Sequence, residues 1–177
     1  LGCSRLALIS PAPTCRAVRD VIARPAFLFL KTAASATMTK VVKIKTGSKF
    51  EEHGSYSRIV AVDNWIFVSN TAGRNPVSKE IPEEITAQTL QVFSNIEGAL
   101  AAVDSGLSDV VASRVFIQDP SHTEAVMTVV GEKFRGINPA STVTCPPLGS
   151  TVYKVEIEVT AYRGAGKAET EERIISL

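Results

Sequence analysis

Val152-Tyr153-Lys154-Val155-Glu156-Ile157-Glu158-Val159-Thr160-Ala161 alternates without a break. Tyr153, Val155, Ile157, Val159 and Ala161 fall on one face of an extended strand; Lys154, Glu156, Glu158 and Thr160 fall on the other. The stretch before it, Pro139-Ala140-Ser141-Thr142-Val143-Thr144, reads as a second, shorter strand. A strand with two glutamates on one face needs something for that face to line. The rest of the chain can be read outward from this pair.

Upstream, Val41-Val42-Lys43-Ile44-Lys45-Thr46 reads as a first strand, ended by Gly47-Ser48. Arg58–Val62 and Trp65–Ser69 are separated by Asp63-Asn64, a tight-turn pair, which predicts an antiparallel hairpin. Asn70–Lys79, with Gly73, Asn75, Pro76 and Ser78, reads as a loop. Pro82-Glu83-Glu84 opens a helix, with proline in the first turn and acids at the positive end of its dipole. Ile85, Thr89, Val92, Ile96, Ala99 and Val103 recur at helical spacing, and Gly106 stops it. Asp109–Gln118 is a fourth strand. Ser121-His122-Thr123-Glu124 has capping-box spacing and predicts a second helix to about Arg135, ended by Gly136, Asn138 and Pro139. The order is β-β-β-α-β-α-β-β. Two helices on one face of a mixed sheet make an α+β domain over residues 41–164. The opposite, polar sheet face needs cover, which an oligomer with pockets at its seams supplies.

The two ends read differently. Residues 1–40 form a leader outside the core. Up to Thr37 it carries Arg5, Arg16, Arg19, Arg24 and Lys31 against the single acid Asp20. That bias fits a mitochondrial transit peptide. Equally, Met38 fits a start site with the upstream residues as an unfolded leader. The location expected is therefore the cytoplasm, or the mitochondrial matrix if the leader is a transit peptide. Residues 165–177 read as a tail, with a short helix over Glu169 to Ile175.

Composition narrows the function classes. The 177 residues are 45% hydrophobic and 21% charged, with net charge +1. This balance provides no field to draw nucleic acid or an anionic membrane. No apolar run reaches the roughly 20 residues of a spanning helix. Cys3, Cys15 and Cys145 are odd in number and scattered, unlike a disulfide framework or a zinc site. They read as reduced thiols, and Cys145 as buried and inert. His53 and His122 are far apart, and His122 at a helix start is expected to be exposed. No metal-ligand set and no phosphate-binding glycine loop appear, so no cofactor is expected.

Gly54-Ser55-Tyr56-Ser57, Ile66-Phe67-Val68-Ser69 and the two final strands together resemble the Rid family (YjgF/UK114) across nearly all of Val41–Tyr162. The resemblance implies a chorismate-mutase-like fold and a homotrimer with ligand clefts between subunits. It also implies hydrolysis of reactive enamines and imines. Carried over position by position, Tyr56 lines the cleft, Ser69 contributes to it, and Glu156 positions the attacking water. The family's deaminase branch has an arginine directly after Pro-Ala that grips the substrate carboxylate; here that position is Ser141. Val143 replaces a nearby cysteine, and Met127 an asparagine of the second helix. The Pro-Ala-Ser-Thr pattern with Tyr56-Ser57-Arg58 is similar to a branch lacking that arginine. Arg58 or Arg74 is then the candidate cation, each with a plain solvated arginine as the other reading. Ser141 and Thr142 are carried as binding residues. Glu156 either lines the ligand site or pairs with Lys154. The expected ligand is a small molecule bearing a carboxylate. Three functions follow: an imine or enamine hydrolase, a trimer that binds a metabolite without turnover, and, least supported by charge and histidine count, a ribonuclease.

Overall fold

The computed structural model describes residues 38–176; the leader reading for residues 1–37 lies outside them. Six strands form one sheet: β1 (Val41–Ile44), β2 (Ile59–Val62), β3 (Trp65–Ala72), β4 (Val110–Ile117), β5 (Ala140–Thr144) and β6 (Val155–Tyr162). Their spatial order is β1-β2-β3-β6-β4-β5. All neighbours are antiparallel except β4 and β5, which are parallel. A parallel pair needs a crossover, and α3 (Thr123–Lys133) supplies it. The long helix α2 (Ile85–Ala101) connects β3 to β4 and packs on β3, β6 and α3.

The alternation of β6 is realised. Val155, Ile157, Val159 and Ala161 are buried under the helices, while Glu156, Glu158 and Thr160 keep partial exposure on the open face. Val92, Phe93, Ile96 and Leu100 of α2 and Val126, Val129 and Val130 of α3 fill the layer between. Phe93 meets Phe134 edge-on at 5.3 Å. The hairpin forms on its expected turn, with Val62 opposite Trp65 and Asp63 at φ +52. Lys40 and Asp63 exchange backbone and carboxylate bonds beside it.

Several local expectations are corrected. The proline does not start α2. Glu84 is the N-cap, its carboxylate accepting from the Thr86 and Ala87 N–H groups, because an acid at that position satisfies two orphan donors at once. The helix stops at Ala101, short of Val103 and Gly106. The capping box at Ser121 does not form. Asp119 accepts from Ser121 N and winds a 3-10 turn over Pro120–His122, so α3 begins at Thr123 and ends at Lys133 rather than Arg135. β3 runs on through Asn70, Thr71 and Ala72, read above as loop, by means of a bulge between Val68 and Thr71. β1 is shorter than expected and β6 begins at Val155. No helix forms over Glu169–Ile175. A 3-10 turn at Ala165–Lys167 ends the ordered secondary structure, where the Asp109 carboxylate accepts from Gly164 N and Gly166 N. A short helix, α1 (Lys49–His53), was not anticipated.

One buried polar residue ties the fold's halves together. Gln88, fully buried on α2, donates from Nε2 to the Pro82 and Val152 carbonyls. Its Oε1 accepts from Lys154 N at 2.6 Å and Val155 N at 3.4 Å. One side chain thus makes four bonds that fasten the loop leading into β6 to α2 and to the turn before it. Gly73 lies directly against it; a Cβ there would sit 2.5 Å from the Gln88 carbonyl oxygen. Among the described residues, no helix is long and apolar enough to cross a membrane.

Candidate functional site

The Gly-Ser-Lys-Phe-Glu run starting at Gly47 builds the first wall. Ser48 caps α1, its hydroxyl accepting from Phe50 N. That turn drives Glu51 inward, where it is only 1% exposed. A buried carboxylate needs partners. Glu51 accepts from Thr46 N at 2.7 Å and Thr46 Oγ1 at 2.8 Å, and Arg58 Nε lies 3.4 Å away. Arg58, at the entry to β2, also donates from Nη1 to the Asn70 carbonyl at 3.0 Å. Its guanidinium stands 6.0 Å from the Tyr56 ring centre. Gly54 lets that ring approach closely, since a Cβ there would meet it at 3.0 Å. Ser69 fastens the same segment: its N–H donates to the Arg58 carbonyl and its hydroxyl to the Ser57 carbonyl.

The β3 bulge turns Asn70 toward β6, where its amide donates to the Glu156 carboxylate. Burial pushes the Glu156 carboxyl above the usual glutamate range, against smaller opposing pulls from the Asn70 amide and the Arg58 charge. For Glu51, burial acts in the same upward direction but is outweighed. The Thr46 bonds and Arg58 together hold it below the usual range.

Tyr56, Arg58 and Ser69 therefore share one segment, which Asn70 links to Glu156. Ser141, Thr142 and Arg74 do not join them. Ser141 is on edge strand β5, opposite Ser113 of β4, while Glu156 is opposite Phe116 and Thr144 is opposite that same Phe116. Two strand spacings and three residues separate Ser141 from Glu156, roughly 14 Å at ordinary sheet dimensions. The Ser141 hydroxyl points to the helix side and meets Ser113 Oγ at 2.7 Å. Thr142 is exposed on the other face, in register with Arg114. Arg74 donates from Nε to the Lys79 carbonyl within its own loop.

The Glu156–Lys154 ion pair is not made; Lys154 Nζ donates to the Glu83 carbonyl. The glutamate on the face that does pair is Glu158, 2.8 Å from Arg114. Cys145 is exposed, contrary to expectation, because it follows the end of the unprotected edge strand. His122 is partly buried rather than exposed, its Nδ1 enclosed without a hydrogen-bond partner where the 3-10 turn meets α3. Among the described residues no group of His, Cys, Asp or Glu gathers to hold a metal ion.

Two members of the cluster escaped the sequence reading. Asn70 was hidden by the bulge, which breaks period-two alternation where a loop composition begins. Glu51 had a signal: Ser48 and Glu51 stand at capping-box spacing.

Two buried carboxyls with lowered pKa, Glu51 and Asp109, set an acid limit. A lowered folded-state pKa contributes stability above the unfolded pKa, and that stability is lost as pH falls through the folded value. For Asp109, burial again pushes upward, and the Gly166, Ser105, Gly164 and Gly106 bonds outweigh it. Urea midpoints should therefore be flat near neutrality and fall below about pH 4. Midpoints unchanged down to about pH 2 would contradict the pairing of both groups.

The sequence profile described as "Endoribonuclease L-PSP" matches residues 46–163. The chain belongs to this family, known also as YjgF/Rid. Among Rid-family relatives, a goat protein named 2-iminobutanoate/2-iminopropanoate deaminase is 31% identical over 115 residues. That match covers 63% of this chain and 82% of the relative. The Arabidopsis thaliana protein named Reactive Intermediate Deaminase A, chloroplastic, is 28% identical over 141 residues, 77% of this chain and 73% of that one. The crystal structure of a Mycobacterium tuberculosis member of the YjgF/YER057c/UK114 family superposes with a TM-score of 0.63 at 31% identity. It covers 70% of this chain and 99% of that one. Relatives carry both mitochondrial and chloroplastic names. The family match agrees with the α+β, chorismate-mutase-like expectation.

Proposed function

We propose that this Rid-family protein is a homotrimer with a small-molecule cleft at each subunit seam, and that the cleft hydrolyses imines or their enamine tautomers. The observation that carries the reading is the Glu156 carboxylate. It is half-buried, raised in pKa, oriented by the Asn70 amide and near Arg58, which in turn stands beside the Tyr56 ring. A desolvated carboxylate of this kind is a stronger base than one in water. Glu156 takes a proton from water as the oxygen attacks the imine carbon. The C=N π electrons move to nitrogen. Glu156 returns the proton to that nitrogen, giving a carbinolamine; it then carries the carbinolamine hydroxyl proton to the nitrogen as the C–N bond breaks and the C=O bond forms, and the products are a carbonyl compound and ammonia.

The trimer reading is supported by the open sheet face. Trp65 and Phe67 leave 46% and 47% of their surface uncovered there, with Tyr162 packed edge-on against Trp65 at 5.1 Å. Rings of this size on a sheet face fit an interface. Edge strand β5, exposed along its length, carries Ser141 and Thr142 toward a neighbouring copy. Light scattering should give three times the 18.9 kDa chain mass. A monomer at micromolar concentration would remove the seam-located cleft.

A binding trimer without turnover is the second reading, favoured by Ser141, whose hydroxyl is engaged with Ser113 rather than free to meet a ligand. One assay separates the two. Freshly generated imine is mixed with protein, and ammonia release is followed against a no-protein control. Catalysed release supports hydrolysis, and saturable binding with none supports the binding trimer.

A further inference from the structure

We propose that the Glu156 cleft selects neutral or cationic imines and discriminates against carboxylate-bearing ones, with Glu51 as the residue that sets this preference. The inference rests on the imine-hydrolysing cleft proposed above, and it names the charge class of its substrate.

The argument is one of charge and of prongs. The cluster holds two carboxylates, Glu51 and Glu156, against one guanidinium, Arg58. With Glu156 ionised, as a base must be, the sum is one negative charge. A ligand carboxylate placed there meets like charge. A protonated iminium, R₂C=NH₂⁺, neutralises it.

Arg58 cannot easily restore the balance. Recognition of a carboxylate by arginine uses two adjacent nitrogens. One such edge combines Nε with Nη2, and Nε faces Glu51 at 3.4 Å. The other combines Nη1 with Nη2, and Nη1 donates to the Asn70 carbonyl at 3.0 Å. Each edge thus has one nitrogen already engaged, and the Nη1/Nη2 edge keeps its grip only by way of the second Nη1 N–H. Glu51 is nearly inaccessible and held by two further bonds from Thr46, so it is a fixed partner and not a passing one.

Two other cations of this region are committed. Arg114 pairs with Glu158 and Lys154 with the Glu83 carbonyl. Strand β5, which a neighbouring copy would bring to the seam, reads Ala-Ser-Thr-Val-Thr and carries no charge. The missing arginine at 141 and the spent arginine at 58 thus act in the same direction.

Three planar probes of nearly equal size separate charge from shape: acetate, acetamide and acetamidinium. Each is titrated into the full-length protein, with the Asn70 side-chain amide read by ¹⁵N NMR. Acetamidinium should bind tightest and acetate weakest, with at least about tenfold between them. Acetate binding as tightly as acetamidinium overturns the charge preference and leaves the cleft standing. No binding by any probe overturns the cleft and the preference together. In Glu51→Gln the neutral amide still accepts from Thr46 but releases Arg58, and acetate should gain about tenfold relative to acetamidinium. A folded Glu51→Gln protein that keeps the wild-type order removes Glu51 from the explanation. If that variant does not fold, the wild-type titrations decide. Turnover gives an independent readout. Faster hydrolysis of 2-iminopropionate than of the imine of acetone contradicts the preference without touching the hydrolysis itself.

Discussion

Glu156→Gln lowers imine turnover by about 10²–10⁴-fold, the usual worth of a positioned general base. Glutamine matches glutamate in shape, and its carbonyl oxygen can still accept from the Asn70 amide, so the cleft keeps its geometry and loses only its proton acceptor. The wild-type rate should carry a matching pH signature. Activity needs the ionised carboxylate, so it rises with pH through a midpoint above the ordinary glutamate range, since burial raises that group. The Asn70 bond pulls the other way. Asn70→Ala removes it, and the rising limb should move to still higher pH. Initial rates of ammonia release against pH measure both effects. A Glu156→Gln protein at the wild-type rate would end the assignment of Glu156 as base, whatever else binds in the cleft.

Gln88→Leu should destabilise the domain by about 2–4 kcal/mol, since each buried polar group left unpaired costs about 1–3 kcal/mol. Four backbone groups lose their partner: the Pro82 and Val152 carbonyls and the Lys154 and Val155 N–H groups. Leucine fills most of the volume, so a cavity contributes little and the loss reports the hydrogen bonds. The shift in urea midpoint at constant slope measures it. A change under about 0.5 kcal/mol, the range of ordinary surface substitutions, would mean that water reaches these groups. The effect should extend to the site, because the loop freed by the substitution leads into β6 two residues before Glu156.

The strands were legible because their patterns are local. β6 alternates over its whole length, and the Asp63-Asn64 turn fixes the β2–β3 register by itself. The final strands, with Gly54–Ser57 and Ile66–Ser69, also carried the family resemblance, which pointed to Glu156, Tyr56 and Ser69. What escaped depends on contacts distant in sequence. Asn70 reaches a residue 86 positions away, and it can do so only because a bulge interrupts β3. Glu51 has an ordinary capping-box spacing. That its carboxylate turns to Thr46 and Arg58 instead of its own helix end is a tertiary choice. Gln88 looks like any polar helix residue until the loop before β6 closes over it. The same limit explains the helix starts: Glu84 and Asp119 captured the caps because each satisfies free N–H groups where the chain actually turns. Glu84 lies two residues after Pro82, and Asp119 two residues before Ser121.

The Ser113–Ser141 hydroxyl pair bears on how such a cleft can change over evolutionary time. The two oxygens share a proton across the parallel β4–β5 junction, and Ser113 is 2% exposed. Exchanging Ser141 for the arginine of the deaminase branch deprives a buried hydroxyl of its partner, and the long side chain starts on the helix-facing side of the edge strand. Placing arginine at 141 by a single replacement therefore carries a folding penalty before it confers any benefit. A small apolar residue at position 113 removes the stranded hydroxyl and, with it, that penalty. Serine at both positions thus makes what site 141 tolerates depend on a residue of the neighbouring strand.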